Sequence, residues 1–157
     1  MTICSCCSGQ QYAECCQRFL EGKLLPQTPE ALMRSRYTAY TMANMDYIQK
    51  TMRGRASIGF NQAEAKQWAK RMIWIKLEVL DTALEKQNHG TVEFKATFVD
   101  GYALQVLHEK SEFIQEAGQW YYVDGTQFPS NNKKTIPRNS PCPCNSQRKF
   151  KNCHGKN

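Results

Sequence analysis

The sequence predicts an α+β chain, with helices packed on a curved antiparallel sheet and a small metal knuckle at each end. Three observations predict it. Apolar and aromatic residues recur at helical spacing between Leu32 and Ile48. The period then changes to two, and alternation persists from Ile73 to Asp124. The pattern C-x-C-x8-C-[C/H] occurs twice, at Cys4, Cys6, Cys15 and Cys16 and again at Cys142, Cys144, Cys153 and His154.

The chain opens on the first of these knuckles. Four soft donors within a few turns of chain read as a closed site. Tetrahedral Zn²⁺ takes four thiolates, or three thiolates and an imidazole, and leaves no position open for substrate. The expected cofactor is therefore zinc, two ions per chain, with iron as the other metal such thiolates accept. The rival reading is a disulfide framework, which needs an oxidising compartment. Residues 1–20 show no basic segment followed by an apolar run, and no stretch approaches eighteen apolar residues. The expected compartment is the cytoplasm, where clustered cysteines stay reduced and act as ligands. Cys7 reads as a spare thiol, because the second copy carries Asn145 at that place; the alternative is exchange with Cys6.

The helical segment follows. Thr28 is a candidate N-cap and Pro29 stands at the first helical position. Met33, Tyr37, Tyr40, Asn44 and Tyr47 form one stripe, with Leu32 and Ile48 beside it. Asn44 and Asp46 are candidate breaks, with a second helix running to about Met52. A third starts after Asn61, with Glu64 completing a capping box, and includes Trp68 and Met72.

Four strands complete the core. Ile73, Ile75, Leu77 and Val79 alternate with Trp74, Lys76, Glu78 and Leu80. Val92, Phe94, Ala96 and Phe98 form a second apolar face, Tyr102 to Gln115 a long third strand, and Trp120 to Asp124 a fourth. Asn88-His89-Gly90, Asp100-Gly101 and Ala117-Gly118 are the turns. Helices followed by a meander give an α+β arrangement, with a helix in the concave face of the sheet. From Phe128 to Pro141 the chain carries Pro129, Pro137 and Pro141 among Ser and Asn, which reads as a linker. The division is thus 1–17 for the N-terminal knuckle, 18–128 for the α+β roll and 129–157 for linker and C-terminal knuckle.

The two knuckles differ in charge. The chain holds 21 basic and 14 acidic residues, a net charge of +7. Seven of the basic residues lie from Lys133 onward, with no acidic residue among them, so the whole excess sits in the tail. Arg148, Lys149 and Lys151 stand where the first copy has Gln10, Gln11 and Ala13. Two bound Zn²⁺ with their thiolates would leave a net charge of about +4. A compact basic tail suits an acidic protein surface, RNA or an anionic lipid surface; the plain alternative is a solvated tail.

At this point the chain resembles a known family. RNSPCPCNSQRKFKNCHG, residues 138–155, looks like the SEC-C motif, named for the C-terminus of the preprotein translocase ATPase SecA. LMRSRYTAY (32–40), LHEKSEF (107–113) and WYYVDG (120–125) resemble the bacterial YchJ family. That resemblance implies a cystatin-like, nuclear-transport-factor-2-like roll with a SEC-C motif at each end. Cys7 and Asn145 depart from the motif's usual glycine after the second ligand. The SecA tail, by resemblance, engages a chaperone and the ribosome through its metal-ordered basic surface. Only the second copy keeps that character, so docking is carried over to Arg148, Lys149 and Lys151. Export is not carried over, since no P-loop is present.

Two functions follow as expectations. The first is a metal-stabilised cytosolic adaptor that docks an acidic protein or ribosomal RNA through its C-terminal knuckle, with no sequence-specific reading of DNA. The second is a small-ligand-binding or enzymatic roll whose zinc sites are only structural. Arg36, Tyr40 and His108 are its pocket candidates, with Arg34, Tyr37, Glu109 and Asp124 nearby. On alternation His108 shares an inward face with Leu104 and Val106, and Glu109 points away unless a bulge intervenes. No catalytic residue is assigned, because one histidine without a partner falls short of a constellation. Convergence of His108 and Arg36 on a cavity of roughly 300 Å³ would favour the second function.

Overall fold

The computed structural model describes residues 1–129 and 133–156. The first knuckle runs through a single 3-10 turn, Tyr12–Glu14, into a short helix α1 (Gln17–Leu20). Helix α2 spans Pro29–Thr41. The Thr28 hydroxyl accepts from the Ala31 N–H at 3.1 Å, and Pro29 fills the first helical position, where its missing N–H costs nothing. The Asn44 side chain accepts from the Tyr47 N–H and starts α3 (Met45–Lys50). Asn61 caps α4 (Gln62–Arg71), accepting from the Glu64 N–H at 3.0 Å. Met72, expected in that helix, is already extended.

Strands β1 (Ile73–Lys86), β2 (His89–Asp100), β3 (Ala103–Glu116) and β4 (Gln119–Gln127) form an antiparallel meander in the order β1-β2-β3-β4. A short strand β5 (Lys134–Thr135) pairs with Ala103 and Leu104 of β3, inside the segment expected to be a linker. Residues 130–132 of that linker lie outside the described residues.

Strand β1 departs from the expected alternation. Its register against β2 shifts between Trp74 and Lys76, so Ile75 is an extra residue. A bulge of this kind inverts the facing of everything before it. Trp74 therefore joins Leu77 and Val79 on the helix-facing side, while Ile73 and Ile75 pack on the opposite side.

Both faces of the sheet are covered at this end. On the helix side, Leu32, Met33 and Tyr37 of α2 meet Leu77, Val92, Phe94, Phe113 and Trp120. Cys4, Cys6, Cys15 and Cys16 belong to the same cluster, so the first knuckle is built into the main core. Arg34 ties it down, donating to the Cys6 carbonyl at 2.7 Å. A second cluster joins α3 to the rest through Ala39, Tyr47, Ile48 and Ala69. On the opposite face, Val99, Ile136, Cys142 and Phe150 form a third cluster with Ile73, Ile75 and Leu104. The second knuckle thus caps the outer face of the sheet, and apolar packing does extend beyond Phe128. Phe150 is fully buried, and a Cβ on Gly155 would stand 2.7 Å from its ring.

Candidate metal centres and the roll cavity

The repeated sequence folds as a repeated backbone. The Cys4 N–H donates to the Gln10 carbonyl and the Cys142 N–H to the Arg148 carbonyl, each at 2.8 Å. Tyr12 N–H to Thr2 and Phe150 N–H to Ser140 repeat the next bond, again at 2.8 Å. Each copy has one antiparallel bridge, Ile3 with Gln11 and Pro141 with Lys149, and then a 3-10 turn, Tyr12–Glu14 or Phe150–Asn152. These bonds fold the strand back so that both ends of C-x-C-x8-C point their sulfurs inward.

Two donor clusters result. Cys4, Cys6, Cys15 and Cys16 bring their sulfurs within 4.8 Å of one another, as do Cys142, Cys144, Cys153 and His154 with their ligand atoms. Four ligands on one zinc would set sulfur atoms about 3.8 Å apart, from a metal–sulfur length of about 2.3 Å. Cys6 and Cys15 are 3.6 Å apart, Cys15 and Cys16 3.9 Å, and Cys144 and Cys153 3.6 Å. His154 presents Nδ1 at 3.3 Å from Cys142 and 3.5 Å from Cys153. All are far beyond a disulfide length and match shared coordination.

The electrostatics point the same way. A hydrogen bond between Cys6 and Cys16 pulls the Cys6 thiol down, while that bond and then burial push Cys16 up. Such crowded thiols cannot all ionise alone, and a divalent cation between them removes that conflict. Ser8 reaches Cys15 at 3.3 Å and Ser146 reaches Cys153 at 3.4 Å, so the supporting hydroxyl is repeated too. Cys7 is exposed and stands apart from the cluster, its sulfur 3.4 Å from the Leu77 N–H.

The knuckles differ in surroundings. All four donors of the first are buried, whereas in the second Cys144 and Cys153 are half-exposed and His154 is exposed. Arg148 donates to Cys153 at 3.8 Å. Lys149 is exposed and Lys151 half-buried.

The other candidate residues divide. Arg36 and Tyr40 line a cavity of about 300 Å³ between α2 and the sheet, along with Trp68, Trp74, Glu109 and Tyr122. His108 is not there. It lies on the outer face, its ring 4.4 Å from that of Phe128 and its Nε2 3.7 Å from Glu93. Glu109 takes the inward place expected for His108, in phase with Leu107, Ser111 and Phe113. Leu104 misled the phasing, because it is covered by the second knuckle and not by the helices. Arg34 pairs with Glu30 at 3.1 Å, and Asp124 with Arg55 at 3.5 Å.

The inner polar group is tightly built. Arg36 donates through Nη1 to the Ile48 carbonyl at 2.8 Å and to Thr51 at 2.7 Å. Its guanidinium lies 4.7 Å from the Tyr122 ring. Burial pulls the Arg36 guanidinium below its ordinary range. The Glu109 carboxylate accepts from Ser111 at 2.6 Å and from Tyr122 at 3.2 Å. Burial first, and then the charge of Glu109, push the Tyr122 phenol up. Tyr122 is itself held by the segment that follows α3, exchanging backbone bonds of 2.9 Å with Thr51 and Arg53.

Comparison with known proteins agrees with this architecture. Residues 28–125 match the family model described as the YchJ middle NTF2-like domain, and residues 138–156 match the SEC-C motif. A SEC-C motif containing protein from Rhodopseudomonas palustris is 36% identical over 82% of this chain and all of its own, with a TM-score of 0.75. One from Psychrobacter arcticus is 30% identical over 99% of this chain and 96% of its own, with a TM-score of 0.70. A structure from Thiobacillus denitrificans, named for a calcium/calmodulin-dependent protein kinase type II association domain, shares the fold. It is 15% identical over 69% of this chain and 99% of its own, with a TM-score of 0.52. No helix among the described residues is long and apolar enough to cross a membrane. With its two donor clusters around a nuclear-transport-factor-2-like roll, and a family model matched over most of its length, the chain belongs to the YchJ family.

Proposed function

We propose that this protein is a zinc-stapled adaptor that docks an acidic partner through its C-terminal knuckle. Two Zn²⁺ ions fill the two donor sets, and both sites are closed, with four protein ligands each. Zinc at these positions does no chemistry on a substrate; it fixes the backbone that carries the surface.

One observation carries the docking reading. Among the described residues, none of Lys133, Lys134, Arg138, Arg148, Lys149, Lys151 and Lys156 takes part in an ion pair. Six of the seven are exposed. Of the fourteen basic residues before Lys133, six (Lys23, Arg34, Arg53, Arg55, Arg71 and Lys76) pair with carboxylates among the described residues, and acidic residues balance the rest; the tail has neither pairs nor acidic residues. An unneutralised positive face on a rigid knob raises the local concentration of an acidic partner and speeds its encounter. An acidic protein surface is the favoured partner, and ribosomal RNA is the other outcome of the test.

The test is capture from cell extract with the wild type and with a variant carrying Lys149→Glu and Lys151→Glu. Arg148→Glu is added in a second variant, with metal content measured, because Arg148 touches Cys153. The expected result is loss of the main partner with both metals retained. Binding should weaken with salt, since exposed charges are screened over about 8 Å at physiological ionic strength. A single-stranded RNA partner contacted through three phosphates would give a log–log salt slope of roughly −2. Retention of every partner by both variants would defeat the docking role.

A further inference from the structure

The cavity between α2 and the sheet carries a site of its own, independent of the docking knuckle. Its walls are aromatic: Tyr37, Tyr40, Trp68, Trp74, Phe94 and Phe113. Trp68 and Trp74 meet edge to face at 5.4 Å, and Tyr40 meets Trp68 at 6.1 Å. Into this apolar space the fold places one cation and one carboxylate. Burying either charge is costly unless something compensates it.

The compensation within the protein is incomplete. Arg36 spends Nη1 on the end of α3, and its Nε and Nη2 make no hydrogen bond among the described residues. Nor does Arg36 form an ion pair with any described carboxylate. Glu109 spends Oε2 on Ser111 and Tyr122, and its Oε1 accepts no hydrogen bond among the described residues. Neither group belongs to the buried atoms left without a partner, so the free edges of both remain accessible, and both residues line the cavity. Tyr122 joins them, its hydroxyl on Glu109 and its ring against Arg36.

We infer that the cavity binds a planar aromatic molecule of zero net charge that presents a hydrogen-bond acceptor to Arg36 and a donor to Glu109. Aromatic carboxamides and heterocyclic lactams have this chemistry. The flat ring matches the aromatic walls. A single anion would satisfy Arg36 but meet Glu109, and a single cation the reverse. In a largely apolar cavity a ligand with net charge also loses part of its own hydration without full repayment. The neutral acceptor–donor pair satisfies both free edges at once.

The test uses three probes of nearly identical shape: benzoate, benzamide and benzamidinium. Binding to the full-length, metal-loaded protein is followed by tryptophan fluorescence and by the NMR signals of the Trp68 and Trp74 indole N–H groups. Benzamide should bind about ten-fold tighter than either ion, the worth of one hydrogen bond to a charged group. Glu109→Gln should shift the preference to benzoate, and Arg36→Met should shift it to benzamidinium. Glu109→Gln is nearly isosteric and decides the matter if Arg36→Met fails to fold. Absence of saturable benzamide binding at millimolar concentration would overturn the inference. Equal affinity for the three probes, or an unchanged preference in Glu109→Gln, would do the same. None of these outcomes bears on the C-terminal knuckle.

Discussion

Cys7 and Asn145 hold the same left-handed backbone state, at φ 63° and 65°, one residue after the second ligand of each knuckle. Two residues further on, Gly9 and Gln147 repeat it at φ 82° and 66°. The knuckle therefore needs two left-handed residues to bring its sulfurs together, and only one of the four is glycine. A side chain with a Cβ pays about 1–2 kcal/mol in this state, with asparagine tolerating it best.

Cys7→Gly and Gln147→Gly should accordingly stabilise the protein, each by about 1 kcal/mol. Both should retain two metals per chain. Thermal denaturation with metal analysis checks this. Loss of one metal from Cys7→Gly would instead make Cys7 a ligand, despite its distance from the cluster.

Ligand substitutions should separate the two knuckles. Cys16 belongs to the main core cluster that includes Leu32 and Phe113, so Cys16→Ser should remove a metal and loosen the whole roll. Cys153 is half-exposed, so Cys153→Ser should remove one metal while the roll keeps its cooperative transition. Stepwise chelation should follow the same order, releasing the second metal before the first. The first release should leave most helical signal, and the second should coincide with global unfolding. Simultaneous release without unfolding would show that the roll stands without its first knuckle.

The donor clusters, the caps at Thr28 and Asn61 and the break at Asn44 were legible in the sequence because each rests on local chemistry. Thr28, Asn44 and Asn61 cap helices through their own side chains, and C-x-C-x8-C carries its geometry in its spacing. The facing of the strands was less legible. The bulge at Ile75 has no sequence mark, and Phe98 and Val99 are both buried because different layers cover the two faces. Where both sides of a sheet are apolar, alternation no longer identifies the inside. Glu109 was among the candidates but was faced outward for that reason. Phasing β3 on Leu107 and Phe113 turns it inward, since these share its parity.

Gly125 tests the inner polar group. A Cβ at this position would stand 2.6 Å from the Glu109 carboxyl carbon and 2.6 Å from the Tyr122 hydroxyl. Gly125→Ala should therefore displace Glu109, at a cost of about 1–3 kcal/mol for overpacking. It should also weaken any ligand held by Glu109, measurable with benzamide. A variant as stable as the wild type would show that the cavity has room to yield there.

Truncation after Phe128 removes the whole basic tail, but it does more than remove charge. Ile136 and Phe150 are buried against Val99, Ile73, Ile75 and Leu104 on the outer face of the sheet. Fully burying two such side chains is worth about 1.5–3 kcal/mol each. The truncated protein should be destabilised by several kcal/mol and should expose a contiguous apolar patch, detectable as dye binding and self-association. Lys149→Glu with Lys151→Glu leaves that packing untouched and should keep the wild-type melting temperature. Partner loss in both variants would then be assigned to charge. Partner loss in the truncation alone would be assigned to the packed knuckle.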